Sequence, residues 1–279
     1  MIHQARFDLP EININIEGDV LVFDKPYQCT SFDLVEKVKK YIRRGDLYGR
    51  PNSNDLYGRP NTDPKRIKVK VGHAGTLDPL ATGVMIICVG SFTKKIDQYQ
   101  AHEKEYTGTF MLGATTPSFD LEKPVDETLP IEHITEEKIH QVAHSFVGVQ
   151  EQIPPHFSAV KVDGKRAYLL AREGKEPEIK PKQITISTFE ITRVALPEVD
   201  FRIVCSKGTY IRAIARDFGQ KLESGAYLTT LRRTRIGEFR VEDAIGVELK
   251  NYTLPPVQIS PETAHGVSEP PETELYGNI

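Results

Sequence analysis

The sequence predicts an α+β fold, with a mixed, mainly antiparallel central sheet flanked by helices and loops. Stretches typical of strands and stretches typical of amphipathic helices alternate irregularly, whereas a doubly wound sheet requires regular alternation. The length of 279 residues is enough to bury a sizeable core, in one large domain or two small ones. Apolar residues at 39% and charged residues at 27% are ordinary proportions for a soluble globular protein.

Near the N-terminus, the pattern predicts a buried strand followed by an amphipathic helix. The apolar run Val20–Phe23 is typical of a short strand and ends at Asp24-Lys25-Pro26. Thr30 and Asp33 have the spacing of a capping box, which predicts the start of a helix. The apolar positions of this helix are Leu34, Val35, Val38, Tyr41 and Ile42.

A tandem copy follows this helix. The heptapeptide DLYGRPN occurs at 46–52 and again at 55–61. Each copy carries Gly and Pro, which predict a loop rather than a continued helix. Two copies are too few for a solenoid, so we interpret the repeat as an insertion that lengthens a loop.

The middle of the chain predicts a strand and a second helix. Alternation over Lys104–Leu112 places Tyr106, Phe110 and Leu112 on one face of a strand. Thr135 is a typical N-cap residue and predicts the start of the helix. The apolar positions of that helix are Ile139, Val142, Ala143 and Phe146.

The last third predicts two strands, a helix and a polar tail. The strands are expected at Ile184–Thr192 and Phe201–Cys205. Gly225 lies just beyond the following helix and is its candidate C-cap. Beyond Asn251, frequent prolines and few apolar residues predict a docked or disordered tail. The apolar positions of the helix are Ile211, Ile214, Ala215, Phe218 and Leu222.

The net charge of −3 is the sum of two opposed segments. Arg202–Arg240 contains nine basic and three acidic residues, a net +6, whereas Val241–Ile279 contains seven acidic residues and one basic residue, a net −6. The net charge of the whole chain alone argues against a nucleic-acid partner, but the basic segment suits contacts with phosphates. A solvated helix face is the alternative interpretation of the basic segment.

The cysteines and the apolar runs indicate the compartment. Cys29, Cys88 and Cys205 form no CxxC motif and cannot all pair, which predicts reduced thiols in a cytoplasmic protein. The apolar run Val84–Val89 is too short to cross a membrane. The N-terminus lacks the basic and apolar regions of a secretory signal.

The segment Val71–Gly83 is the most unusual stretch, because it combines three glycines with His73, Asp78 and Pro79. Small residues let a backbone and a ligand approach closely, and Pro79 biases Asp78 away from helical conformation. No Gly-Lys-Ser/Thr follows, so the segment is not a phosphate-binding P-loop. A functional loop and a structural turn capped by Asp78 both fit the pattern.

The hexapeptide KGTYIR at 207–212 joins a predicted strand to a predicted helix. An aromatic ring and a guanidinium near a helix N-terminus, here Tyr210 and Arg212, are typical of a pocket for a base and its phosphate. Core packing is the alternative for Tyr210, whereas a fully buried unpaired arginine is rare. The sequence contains neither a zinc-protease His-Glu-x-x-His motif nor a hydrolase Gly-x-Ser-x-Gly motif.

Together these stretches resemble the TruB family of tRNA pseudouridine synthases. The matches run in the family's order over roughly residues 18–245, and GHAGTLDP is highly specific. They are Asp24-Lys25-Pro26 with Thr30-Ser31, GHAGTLDPLATGV, Lys104-Glu105-Tyr106, Gln152 to Pro155 with Ser158 to Lys161, Gly164 to Arg172, SKGTYIR and Leu231-Arg232-Arg233. The resemblance implies the pseudouridine synthase fold and isomerisation of uridine 55 in the T-loop of tRNA, with no cofactor and no metal.

The resemblance also implies roles for individual residues. Asp78 matches the catalytic aspartate, which is ionised at neutral pH without a helper base and can trap or stabilise a cationic anomeric carbon. The sequence leaves open whether Asp78 attacks the sugar carbon or removes a sugar proton. The expected substrate-binding residues are His73, Tyr106, Tyr210, Arg212 and Leu231, and Arg212 is expected to pair with Asp78 and to hold its carboxylate charged and oriented. Candidate RNA contacts are Lys25, Lys161, Lys207, Arg232 and Arg233.

Two departures from the family pattern set the expected organisation. Gln28 stands where the family usually has glycine, which affects the turn before the first helix. The residues after Ile245 are too few and too acidic for the PUA-type RNA-binding domain of many members. We therefore expect an N-terminal segment at 1–17, a catalytic domain at 18–250 and an acidic, proline-rich tail at 251–279. We expect a monomer that binds the T-arm through the catalytic domain, with the basic segment contacting phosphates.

Three alternatives stay open. A non-catalytic RNA-binding or RNA-remodelling protein could have the same fold, but the joint presence of Asp78, Tyr106, Tyr210 and Arg212 argues against it. Family members that act on other RNAs usually carry the PUA domain and basic tails. An enzyme acting on a different tRNA position is the third alternative.

Overall fold

The computed structural model describes residues 6–44, 69–158, 160–162, 164–175 and 177–250. The DLYGRPN copies and the tail after residue 250 lie outside these ranges. The helices are α1 (Ser31–Arg44), α2 (Ile96–Ala101), α3 (Glu136–His144), α4 (Ala167–Arg172) and α5 (Ile211–Lys221). The strands are β1 (Arg6–Asp8), β2 (Gly18–Lys25), β3 (Val71–His73), β4 (Thr82–Gly90), β5 (Lys104–Leu112), β6 (Ala114–Thr115), β7 (Glu127–Thr128), β8 (Gly148–Gln152), β9 (Lys161–Val162), β10 (Lys165–Arg166), β11 (Lys182–Ala195), β12 (Glu198–Cys205), β13 (Ala226–Ile236), β14 (Phe239–Arg240) and β15 (Glu248–Lys250). Within the described ranges, no helix is long and apolar enough to cross a membrane.

The central sheet has the strand order β2-β4-β13-β5-β12-β11-β8, with β3 added to β4 and β14 added to β13. Neighbouring strands in this order are antiparallel except β13 and β4, which run parallel. The prediction of a mixed, mainly antiparallel α+β sheet is therefore confirmed. Strand β1 pairs with β15, so the segment before residue 18 packs against the end of the domain.

Helix α1 begins at the predicted capping box. The Thr30 backbone N–H donates to the Asp33 carboxylate at 2.9 Å, and the Asp33 N–H donates to the Thr30 hydroxyl at 3.0 Å. These reciprocal bonds satisfy backbone donors that have no partner within the helix. Leu34, Val38 and Ile42 are buried in the core, as the apolar spacing predicts.

Strand β5 has the predicted bounds, and its apolar side chains lie in the core. Phe110 is fully buried and stacks on Phe201 with ring centroids 4.1 Å apart. The helix predicted after Thr135 is α3, and the Thr135 hydroxyl accepts a hydrogen bond from the Lys138 N–H at 3.2 Å. The aromatic part of the core is formed by Phe110, Phe146, Phe189, Phe201 and Phe218.

The end of α5 differs from the prediction. Glu223, not Gly225, has left-handed conformation after the helix, with φ 58°. The N–H groups of Glu223 and Ser224 donate to the Gln220 and Gly219 carbonyls at 3.0 Å, which is the hydrogen-bond pattern of a Schellman motif. The prediction of Gly225 as the C-cap is wrong, because the helix ends two residues earlier than that glycine would require.

Strand β13 is absent from the sequence-based prediction, although it lies inside the sheet. Two irregularities in its pairing with β5, between Leu228 and Thr230 and between Arg233 and Arg235, break the alternation of inward and outward side chains. A strand with such bulges loses the period-two pattern by which strands are predicted. The basic residues at its centre therefore suggested an exposed segment.

We predict that the contact between β4 and β13 tolerates no side chain at Gly83. Gly83 has φ 107°, and a Cβ there would lie 2.1 Å from the Arg233 carbonyl oxygen. Gly164 also has positive φ, at 81°, but a Cβ there would meet nothing within 4 Å. Gly164→Ala should therefore cost only the left-handed strain of about 1–2 kcal/mol. Gly83→Ala should cost about 1–3 kcal/mol more because the strands must separate.

Urea unfolding of the two variants measures this difference. Equal losses in the free energy of unfolding would contradict the tight approach of β4 and β13.

Candidate active site

Asp78 lies in the loop of residues 74–81, which joins β3 to β4. The loop leaves the sheet where the Ala74 N–H donates to the Ile86 carbonyl at 2.9 Å. It closes in a turn in which the Ala81 N–H donates to the Asp78 carbonyl at 3.1 Å. Gly75 has φ 99°, a conformation that favours glycine. The Asp78 loop, as we name residues 74–81, is thus tied to the sheet at its start and closed by a turn at its end.

The first turn of α1 fixes the centre of the Asp78 loop. The Ser31 hydroxyl accepts from the Leu77 N–H at 2.9 Å and donates to the Leu77 carbonyl at 3.0 Å. Both residues are buried. One hydroxyl therefore satisfies both polar backbone groups of the residue that precedes Asp78.

Arg233, on β13, holds the other side of the Asp78 loop. Its guanidinium donates to the carbonyls of Val84 at 2.8 Å, Thr76 at 3.3 Å and Gly75 at 3.2 Å. The side chain is 1% exposed. The prediction that Arg233 contacts RNA is therefore wrong, because its donors are directed into the protein.

Lys25 is a second buried cation that contacts the Asp78 loop. Its ammonium donates to the carbonyls of Cys29 at 2.6 Å, Pro26 at 2.9 Å and Pro79 at 3.4 Å. Burial lowers the pKa of Lys25 to about 8. The predicted RNA contact at Lys25 is wrong for the same reason as at Arg233, since the ammonium has no exposed surface.

Arg212 binds the Asp78 carboxylate with two parallel hydrogen bonds. Its Nε donates to Oδ2 at 2.8 Å and its Nη2 to Oδ1 at 3.2 Å. The same guanidinium donates to the Ser118 carbonyl at 3.2 Å and the Phe157 carbonyl at 3.0 Å. The side chain of Arg212 is 6% exposed and that of Asp78 is 36% exposed. The pairing expected from the sequence is present, and it leaves part of the carboxylate accessible.

Asp120 is a site residue that the sequence reasoning missed. Its carboxylate lies 3.6 Å from the Arg212 Nε and accepts from the Glu122 N–H at 2.9 Å. Burial raises the pKa of Asp120. Its only signal in the sequence is that a buried arginine with five donors needs several acceptors. In the described ranges, no three His, Cys, Asp or Glu side chains are grouped as metal ligands.

Tyr210 is placed by a side-chain clamp at the start of α5. The Gln152 amide accepts from the Tyr210 N–H at 2.8 Å and donates to the Tyr210 carbonyl at 3.1 Å. Burial raises the pKa of Tyr210. Gly208, with φ 79°, makes the turn before the helix. Tyr210 and Arg212 thus lie at the N-terminus of α5, as the sequence predicts.

A narrow pocket brings together three of the predicted site residues, Asp78, Arg212 and Leu231. His73, Tyr106 and Tyr210 do not line it. Tyr106 is buried on β5, where it faces Arg233 in the strand register. The rest of the pocket wall is formed by Leu80, Ala81, Asp120, Leu121, Leu228, Thr229 and Thr230.

Three further predicted site residues are His73, Lys207 and Lys161. His73 ends β3, and burial lowers its pKa. Lys207 is exposed in the turn before α5. The side chain of Lys161 lies outside what the structure describes.

The basic segment 202–240 does not present its net charge as a free surface. Arg202, Arg216, Arg232 and Arg235 each lie within 3.1 Å of a carboxylate. Arg232, for example, binds Asp24 at 2.6 Å. Acidic residues from other parts of the chain therefore offset the charge that was counted along the segment.

Comparisons with known proteins show what this chain is similar to. The family described as "TruB family pseudouridylate synthase (N terminal domain)" matches residues 62–211. A protein named tRNA pseudouridine synthase B from Phocaeicola vulgatus is 55% identical over 232 residues, which cover 83% of this chain and 91% of the relative. The protein of the same name from Flavobacterium johnsoniae is 53% identical over 239 residues, covering 86% and 97%.

Solved structures share the fold. A chain of the crystal structure of a Cbf5-Nop10-Gar1 complex superposes with a TM-score of 0.56 and 26% identity. The match covers 83% of this chain and 52% of that chain. This chain therefore spans about half the length of that solved neighbour.

We predict that Ser31→Ala destabilises the protein by about 1–3 kcal/mol, because it leaves the buried N–H and carbonyl of Leu77 without partners. Ser187→Ala is the matched control. Like the Ser31 hydroxyl, the Ser187 hydroxyl has two polar partners, the Glu103 carboxylate at 2.9 Å and the Val204 carbonyl at 3.2 Å. Ser187 is exposed, however, so water can replace its hydroxyl. Urea unfolding measures both variants, and a loss at Ser31 no larger than at Ser187 would refute the anchoring role.

Proposed function

This chain belongs to the TruB family of pseudouridylate synthases, and we propose that it isomerises uridine 55 in the T-loop of tRNA. It is a tRNA pseudouridine synthase, an isomerase that modifies tRNA. The observation that carries the finer proposal is the two-bond pair of Arg212 and Asp78 at the wall of a pocket. This pair presents one oriented carboxylate to a nucleotide that enters the pocket.

The chemistry requires such a carboxylate. Isomerisation breaks the bond between N1 and the anomeric carbon and forms a bond from C5 to the same carbon, while C5 loses its hydrogen to solvent as a proton and N1 takes up a proton. Cleavage of a glycosidic bond leaves cationic character at the anomeric carbon, which a carboxylate can trap. We assign Asp78 as this nucleophile, because Arg212 orients it and part of its carboxylate is accessible. The overall reaction has no net redox change and consumes no water.

The target uridine must leave its stack to reach Asp78, since a base in a structured loop is covered by its neighbours. Leu231 and Leu121 supply apolar wall to receive the flipped base, and Leu121 is 49% exposed. Tyr106 faces Arg233 in the strand register, and Tyr210 lies at the start of α5, two residues before Arg212. We assign Tyr106 to stack on the base, and Tyr210 and His73 to line the nucleotide site.

RNA binding rests, in this proposal, on the catalytic domain at 18–250. Lys207 is exposed in the turn that leads to α5, and Arg232 is 40% exposed at its side chain. Both are suited to contact phosphates of the T-arm. The exposed ion pair of Arg232 with Asp24 contributes little to stability, so Arg232 can exchange it for a phosphate. We propose that the enzyme acts as a cytoplasmic monomer.

We predict that Asp78→Asn abolishes turnover and changes tRNA affinity by no more than a few-fold. The amide keeps the size of the carboxylate but cannot trap the anomeric carbon. Release of tritium from tRNA labelled at uridine C5 measures turnover, and filter binding measures affinity.

Two controls make this test specific. Asp97→Asn makes the same change at an exposed position on α2 and should leave tritium release unchanged. A transcript with cytidine at position 55 and labelled uridines elsewhere should release no tritium. Turnover by Asp78→Asn would refute the nucleophile, and release from the cytidine transcript would refute the position.

A further inference from the structure

A cleft of about 540 Å³ lies beside the pocket that holds Asp78. Clefts that bind ligands commonly measure about 300–1,000 Å³. Phe119 and Phe157 line it, together with the cationic side chains of Arg216 and Lys175. We name this space the Phe119 cleft, and none of the four residues has a role in the proposed reaction.

The Phe119 cleft is linked to the pocket that holds Asp78 through the hydrogen bonds of Arg212. Arg212, which holds Asp78, also binds the carbonyls of Ser118 and Phe157. Ser118 directly precedes Phe119, so each aromatic residue of the cleft is tied to the guanidinium that orients the nucleophile. In an RNA strand with one nucleotide at Asp78, the neighbouring nucleotide therefore lies beside this cleft.

The loop that presents Phe119 is fixed in place. The Phe119 N–H donates to the Thr116 carbonyl at 3.0 Å, and the Leu228 N–H of β13 donates to the Phe119 carbonyl at 3.0 Å. Phe119 has φ 60°, which is strained for a side chain of this size. Such strain persists where the surroundings over-determine the backbone, and it is concentrated at ligand clamps and active sites.

Cations lie over both rings of the Phe119 cleft. The Arg216 guanidinium carbon is 5.3 Å from the centroid of Phe119, and the Lys123 ammonium is 5.6 Å from that of Phe157. Arg216 is held there by Asp217 at 2.7 Å and by the Ile153 carbonyl at 3.1 Å. Proteins bind unstacked nucleotides with this combination, in which bases stack on aromatic rings or guanidinium planes and cations meet phosphates.

We propose that the Phe119 cleft holds a second unstacked nucleotide of the substrate RNA, next along the strand to the reacting uridine. Its base stacks on the pair of Phe119 and Arg216, and Lys175 meets its phosphate. Lys175 is available for this contact, because its exposed ion pair with Glu173 at 2.8 Å contributes little. The inference rests on the proposed function, since the RNA is the substrate of Asp78.

The test combines a protein change with a base deletion. Phe119→Leu keeps apolar bulk and removes the flat ring, and T-arm hairpins carry an abasic nucleotide on either side of uridine 55. On intact RNA, Phe119→Leu should raise KM about five- to 150-fold, the range of base–aromatic stacking, and leave kcat unchanged. On one of the two abasic hairpins, wild type and Phe119→Leu should have equal KM values.

Two further variants secure the interpretation. Phe92→Leu removes a ring from another cation–π pair, with Lys95 at 4.0 Å, and should leave KM unchanged. Arg216→Gln provides a second test of the cleft should Phe119→Leu fail to fold, and its KM should show the same dependence on the neighbouring base.

The inference is overturned if KM is unchanged in both cleft variants, or if their loss is the same on intact and abasic RNA. The proposed function fails separately, by an absence of tritium release from wild type. Hairpin binding followed by fluorescence anisotropy would still decide the cleft in that case, through the same comparison of intact and abasic RNA.

Discussion

The hydrogen bonds of one buried guanidinium connect the Asp78 carboxylate to the rest of the structure. Arg212 donates to both oxygens of Asp78 and to the carbonyls of Ser118 and Phe157, and its side chain is almost completely buried. Removing one partner of a buried charge pair leaves the other uncompensated, which costs far more than the pair contributes. The position of Asp78, the loop that carries Phe119 and the segment that carries Phe157 therefore depend on the same side chain.

Two other buried cations complete this arrangement. Lys25 and Arg233 each donate to backbone carbonyls of the Asp78 loop and to carbonyls outside it, in the segment before α1 and in β4, respectively. Burying an ammonium is costly, as the lowered pKa of Lys25 indicates. In return, the backbone around Asp78 is fixed before any substrate arrives. Such preorganisation is what allows a carboxylate to act without reorganisation during the reaction.

Local patterns in the sequence were sufficient for some elements and insufficient for others. The capping box at Thr30 and the alternation over Lys104–Leu112 predicted α1 and β5, because neighbouring residues alone determine both. The pairing of Arg212 with Asp78 followed from family motifs. The burial of Arg233 could not be predicted, since it depends on the parallel contact of β13 with β4, which joins distant parts of the chain. The ion pairs of the basic segment could not be predicted for the same reason, because their carboxylates come largely from other elements.

Hydrogen–deuterium exchange in Arg212→Gln tests the central claim most directly, since glutamine cannot bind Asp78 and both carbonyls at once. The account predicts that amides of residues 74–81, 116–122 and 154–158 exchange faster together, whereas those of α3 keep the protection they have in wild type. Protection at wild-type levels in all three segments would contradict it, and so would a loss of protection confined to α5.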